Sequence, residues 1–453
     1  MESQIKPQLR TFDVTMIVTG LVIGMGIFRT PPEVAEKAEI PLIFFLAWIL
    51  GAIISFIGGL TFAEIGSRYP AAGGFYKIFS HCYHPAFAFM VNWITVISNA
   101  ASTAAVGIMG AEYLAPIVLP DTDQDVAVKI ITIVSILVLY AVNMLGIKTS
   151  SKILNVLMVV KLSLLFILIS AMFFVKKEGA GKEIVHETMT LTEMAQAFLL
   201  CFVPVFFTYG GYQQTMNFGG DVQNANRNLP RAILFGMSIV LFVYLSVNFS
   251  YYTVLGYDSL QSTETIAADI TGMMFGTTAF QFVSVLMFFS VLAYANVSIM
   301  SNPRVYYAMA EDKVMPGILK RINEKTQTQE WGLSLFCAFI LATLFFTSSF
   351  KEILQYVMFF DSISLISAAA AIFVLRYRAK KNGEPEGIYK MKGYPYLPAL
   401  YILVYTAVNL SVLIEKPEAA LWGAVLFVSG WPLFYGMRYI IKKTSYRESN
   451  LVN

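Results

Sequence analysis

The sequence predicts an all-α integral membrane protein of twelve transmembrane helices, ten of them in a 5+5 inverted repeat, with helices one and six discontinuous. Three observations carry this. Of 453 residues, 57% are hydrophobic and 13% charged, whereas charged residues alone make up about a quarter of a soluble domain. Apolar runs of about 18 residues or more, enough to cross about 30 Å of hydrocarbon as helix, recur along the whole chain. Two of them, the first and the sixth, are interrupted by glycine-rich sequence: Ile23-Gly24-Met25-Gly26-Ile27 and Phe207-Thr208-Tyr209-Gly210-Gly211-Tyr212.

The runs lie at 11–37, 41–66, 86–114, 126–146, 150–175, 191–219, 231–256, 274–308, 332–349, 352–375, 396–414 and 419–440. The breaks divide the first ten into two fives, 11–175 and 191–375. An odd number of spans per repeat inverts the second copy relative to the first and brings two broken helices together near the bilayer midplane. Helices eleven and twelve, 396–440, fall outside the repeat. The longest polar stretches, 310–330 and 376–393, are too short to build a core of their own, so 1–453 reads as a single membrane domain.

Orientation follows from the basic residues, which concentrate in cytoplasmic loops. With the amino terminus inside, the inward loops with the span ends beside them and the two termini, 1–10 and 441–453, hold 23 of the 32 Lys and Arg residues, including Arg376, Arg378, Lys380 and Lys381. Both termini are therefore expected in the cytoplasm and Asp121, Asp123 and Asp125 outside. Residues 1–10 are polar and the apolar run behind them is too long for a signal peptide, so the first helix is expected to insert and stay. Cys82, Cys201 and Cys337 have neither metal nor pairing spacing and are expected as small buried hydrophobes. The net charge of +3 suits loops beside anionic lipid and does not imply nucleic acid.

Helix-breaking sequence survives at membrane depth only where the freed backbone groups face protein, ions or a ligand. The half-helix that starts near Gly26 presents free N–H groups and partial positive charge, which suit a carboxylate. The half-helices that end near Ile23 and Thr208 present carbonyls, which suit an ammonium group. A zwitterionic α-amino acid matches both. Small residues that let membrane helices approach closely are the competing explanation for Gly24 and Gly26. The Phe28-Arg29-Thr30-Pro31-Pro32 that follows, and the matching Tyr-Gly-Gly-Tyr in the sixth run, favour a binding site.

The run Val22-Ile23-Gly24-Met25-Gly26-Ile27-Phe28-Arg29-Thr30-Pro31 resembles the first-helix signature of the amino acid, polyamine and organocation transporters. Ala63-Glu64-Ile65-Gly66, Ala72-Gly73-Gly74, Phe207-Thr208-Tyr209-Gly210-Gly211, Asn228-Leu229-Pro230-Arg231 and Pro303-Arg304-Val305 are similar to further stretches of that family, in order and at the expected spacing. Within it the chain looks most like the L-type amino acid transporter branch. The resemblance implies a LeuT-like fold and alternating access. The substrate carboxylate would meet the amides of Met25 and Gly26, and its amine the carbonyls of Val22, Phe207 and Gly210, with Phe207 as an aromatic lid. Met25 stands where the family commonly has Ser, which removes a hydroxyl and keeps the amide. Gly220-Asp221 stands where an acidic pair is common.

A lysine inside a membrane helix costs about 2.5–3.5 kcal/mol on insertion scales and is usually functional. Lys161, between Val160 and Leu162, is such a residue. By resemblance it takes the place of a sodium ion and fixes the unwound first helix to spans five and eight, which implies sodium-independent transport by exchange or by proton coupling, with Lys161 as a proton carrier in the latter case. Asp361 is the second intramembrane charge; it either reaches the substrate side chain or pairs within the bundle. Ser98, Ser102 and Tyr212 are further candidates for side-chain specificity and Asn296 for substrate binding, against the commoner role of polar residues in tying membrane helices together. Glu64 and Glu112 lie near span ends. His81, His84 and His186 fall in expected loops without ligand spacing, and most tryptophans suit interface belts.

No nucleophile with a base, no carboxylate pair and no ligand cluster converges in one region, so neither an enzyme nor a metal or cofactor site is expected. A channel would favour a pore of several copies. The expected function is carriage of L-amino acids, chiefly neutral ones; a membrane sensor that binds an amino acid, or a carrier of cationic or polar amino acids or polyamines, is the alternative. The loop 115–126 lacks the cysteine by which animal L-type carriers join a heavy chain, so by that resemblance no covalent heavy chain is expected, and the compact loops resemble those of bacterial members, which implies an inner membrane. The oligomeric state is not readable from the chain.

Overall fold

The structure, a computed structural model, describes residues 5–175, 189–263, 266–344, 350–384, 386–415 and 417–452, with backbone alone at 268, 277–280, 350–360, 412, 415, 419 and 444–452. His186 lies outside the described residues. Helices α1 (Thr11–Val22), α2 (Gly26–Ala38), α3 (Pro41–Arg68), α4 (Gly74–Cys82), α5 (Pro85–Val118), α6 (Gln124–Met144) and α7 (Ile147–Phe174) form the first half. The second contains α8 (Leu191–Tyr209), a 3₁₀ segment (Tyr212–Asn217), α9 (Ala225–Leu255), α10 (Tyr257–Ser262), α11 (Ile266–Phe275), α12 (Thr277–Glu311), α13 (Glu330–Thr343) and α14 (Phe350–Asn382). Then follow α15 (Tyr396–Glu415) and α16 (Pro417–Val452). Among the described residues there is no strand, only two isolated bridges, Leu9 with Val222 and Ala72 with Phe218.

Local sequence sets many of the helix starts. Pro41 and Pro85 open α3 and α5, where the missing N–H of proline costs nothing. Asp123 caps α6 through the Val126 amide, and Thr190 with Glu193 forms a reciprocal capping box on α8. Among the described residues nine helices are long and apolar enough to cross a membrane, or ten if α1 and α2 are one bent span; α13 and the described apolar part of α15 are shorter. Phe166, Phe173 and Phe242 are 70–75% exposed, a pattern that belongs against lipid. The protein is an all-helical, multi-pass membrane protein.

Inside, α12 packs against α5 and α7, and α9 against α1 and α3. These long helices enclose the two breaks. Two expectations are corrected. Trp48 is fully buried, because its ring meets Tyr209 and Tyr244 edge-on in an aromatic cluster rather than lying in an interface belt. His81 sits in α4, stacked on Tyr69, and is not a loop residue; His84 lies, as expected, in the short connection before α5, where it caps that helix. The segment after the second break winds as 3₁₀ helix, whereas the first break is followed by thirteen residues of α-helix. All three cysteines are free and buried.

Candidate substrate site at the two helix breaks

The α-helix stops at Val22 and restarts at Gly26 with a bend of 41°. The Ile23 amide still closes onto the Thr19 carbonyl at 2.8 Å, and the Gly24 amide turns back to Val22 O at 2.8 Å. The amides of Met25 and Gly26 have no hydrogen-bond acceptor among the described residues. In α8 the ladder ends at Tyr209; the Gly210 amide donates to Phe207 O at 3.1 Å, and the Gly211 amide to Gln213 Oε1 at 3.0 Å.

The breaks face each other. A Cβ built on Gly211 would lie 2.3 Å from the carbonyl oxygen of Leu21, and one built on Gly26 would lie 2.9 Å from the Thr208 side chain. Gly211 also has φ +109°, a conformation that side chains disfavour. Each break therefore supplies a glycine that lets the other approach.

Two side chains from neighbouring helices hold the freed carbonyls. The Tyr244 hydroxyl, fully buried on α9, stands 3.0 Å from Val22 O and 3.2 Å from Thr208 O. Its single proton is shared between the two breaks. Lys161 on α7 is also fully buried, and its ammonium donates to the carbonyl of Ile23. The expected tie of the first break to span five is present in this bond, while no bond from Lys161 to α12 is found among the described residues. Tyr244 escaped sequence reasoning because one tyrosine in an apolar run carries no periodic or motif signal.

The other candidates divide into two groups. Ser102 meets the Tyr294 hydroxyl at 3.2 Å, and the Tyr294 ring would lie 3.5 Å from a Cβ on Gly24, so this serine belongs to the wall of the first break. Ser98 lines a cavity with Asp361. Phe207 is 36% exposed, with its carbonyl engaged by Gly210 and its ring free of the packed core. Asn296 and Tyr212 are not brought to the breaks by any bond. Asn296 accepts from Asn143 at 2.8 Å and donates to Ser150 O at 3.2 Å, tying α12 to α6 and α7. Tyr212 points to Tyr401, hydroxyl to hydroxyl at 2.9 Å.

On the side of the amino terminus the breaks are sealed. Arg304 grips Asp221 with two nitrogens at 2.6 and 3.1 Å and lies over the Phe218 ring at 4.6 Å. Gln8 and Leu9 donate their amides to Asp221 O at 2.7 and 2.9 Å. Glu64, fully buried, binds Arg68 and Arg376 at 2.7 Å each, an ion-paired role that joins α3 to α14. Glu112 meets Arg29 at 3.0 Å in a half-exposed pair. Among the described residues no cluster of metal-ligating side chains occurs.

This arrangement of two facing interruptions lies within a match to a single family model, described as amino acid permease, that spans residues 9–436. The chain belongs to the amino acid permease family. This permease is similar along nearly its whole length to the serine/threonine exchanger SteT of Bacillus subtilis (strain 168), at 26% identity over 96% of this chain and 98% of the relative. It is also similar to the human b(0,+)-type amino acid transporter 1, at 24% identity over 92% and 85% of the two chains. The mouse large neutral amino acids transporter small subunit 2 matches at 23% identity over 95% and 81%. Membership in the amino acid, polyamine and organocation superfamily is thus shown, and with it the transport of amino acids across a membrane.

Proposed function

We propose that the permease moves L-amino acids by alternating access and holds the charged ends common to all of them on main-chain atoms of the two breaks. The observation that carries this is the pair of unbonded amides at Met25 and Gly26, set beside the carbonyls of Val22 and Ile23 in the same break and that of Thr208 in the facing one. A carboxylate suits the amides at the start of α2, and an amine suits the carbonyls of Ile23 and Thr208, each of which keeps a second lone pair beside its one donor, whereas Val22 O already accepts from Gly24 N and Tyr244. In this reading Gly24 and Thr208 shape the gap, Gly210 and Phe207 offer further carbonyls, and Phe207 closes over the occupied site.

Sodium independence is supported by Lys161. Its ammonium already supplies a cation to the Ile23 carbonyl, so a metal ion there would meet a like charge. Exchange is favoured by the similarity to a serine/threonine exchanger, with proton coupling as the second mode. The finer architecture proposed is twelve spans, the 5+5 inverted repeat of 11–175 and 191–375, both termini cytoplasmic, and a bacterial inner membrane without a covalent heavy chain.

Uptake into proteoliposomes tests the reading. Labelled amino acid should enter faster when unlabelled amino acid is inside, with no dependence on sodium; stimulation by a pH gradient instead would mean proton symport. A sensor would bind the same ligand without any counterflow.

A further inference from the structure

We propose that Asp361 recognises the substrate side chain and that it selects amino acids whose side chain ends in a cationic nitrogen. This rests on the reading of the two breaks as the cradle for the α-amino and carboxylate groups.

Asp361 lies within α14 and is half-buried. Among the described residues it has no hydrogen-bond or ion-pair partner, unlike Glu64 and Asp221, whose carboxylates are held by arginines. A carboxylate at membrane depth is costly, and such residues pair or act. Asp361 is left unpaired where it faces cavities. One is shared with Thr95 and Ser98, the other with Asn99, Gln213 and Gln214. Among the described residues no cation lines either one.

The connection to the breaks runs along α5 and α12. Tyr294 packs on Gly24 and meets Ser102; Ser98 is one helical turn away on the same face of α5 and lines the Asp361 cavity. The Asp361 cavity thus begins one turn of α5 from the serine at the wall of the first break. The hydroxyl and amide groups around the carboxylate let a bound cation keep further hydrogen-bond partners. A cationic nitrogen neutralises the carboxylate and makes charge-assisted bonds about twice as strong as neutral ones; a leucine side chain would leave the charge uncompensated.

The test is displacement of labelled alanine by lysine, ornithine, serine and leucine, measured both as binding in detergent and as counterflow in proteoliposomes. In the wild type, lysine or ornithine should displace alanine at concentrations at least tenfold lower than leucine. In Asp361→Asn and Asp361→Ala that preference should fall at least tenfold, and Asp361→Glu should regain part of it. The proposal is overturned if neither lysine nor ornithine competes better than leucine, if serine is the one whose affinity depends on Asp361, or if Asp361→Asn weakens all competitors equally. Asp361-dependent lysine binding without counterflow would instead overturn the transport reading and leave this one standing.

Discussion

The hydroxyl of Tyr244 lies 3.0 Å from the carbonyl oxygen of Val22 and, with the same oxygen, 3.2 Å from that of Thr208. One side chain on α9 thereby spans the last turns of both interrupted helices. A conformational change that moves one break relative to the other must give up one of these contacts, so Tyr244 couples the two.

Tyr244→Phe keeps the ring packed against Trp48 and Tyr209 and removes only the hydroxyl. A hydrogen bond is worth about 0.5–1.5 kcal/mol net. The expected result is a loss of amino acid affinity of up to about tenfold with little change in melting temperature. Unchanged affinity in a binding assay would show that the hydroxyl is not part of the site.

Lys161→Met keeps the stem of the side chain and deletes the ammonium, which leaves the Ile23 carbonyl without its donor. Hydrogen bonds to charged groups are worth about 1.5–3 kcal/mol, so uptake should drop ten- to a hundredfold. Wild-type uptake should be equal in sodium and choline buffers; a sodium requirement would remove Lys161 from the role proposed here.

Gly211→Ala places a methyl 2.3 Å from Leu21 O at φ +109°, and no flexible side chain is there to yield. It should abolish uptake and lower the melting temperature. Gly272→Ala is the matched control: nothing lies within 4 Å of the added Cβ, and within helix α11 alanine is favoured over glycine by about 1 kcal/mol. Equal behaviour of the two variants would contradict the close approach of the breaks.

Asp221→Asn leaves the buried Arg304 guanidinium with the Met300 carbonyl and the Phe218 ring. Removing one partner of a buried pair typically costs about 3–5 kcal/mol, and here the cost falls on the sealed state of the proposed cytoplasmic face. In a cysteine-free background, Ser301→Cys should be labelled at least tenfold faster by an impermeant thiol reagent in inside-out vesicles when Asp221→Asn is present. Equal rates would mean that the pair does not hold this face shut.

The membrane class, the helical content and the positions of both interruptions were legible in the sequence, because apolar runs and Gly-Met-Gly or Tyr-Gly-Gly-Tyr within them are local signals set by hydrogen-bond satisfaction in lipid. Lys161 was legible for the same reason: a lone ammonium in an apolar run must find a partner nearby. That its partner is the Ile23 carbonyl is a long-range fact. So are the bridging hydroxyl of Tyr244, the orientation of Tyr212 toward Tyr401 and the engagement of Asn296 with α6 and α7. A tyrosine or asparagine in a membrane helix has several neighbours it could bond, and only the packing of helices far apart in sequence selects one of them.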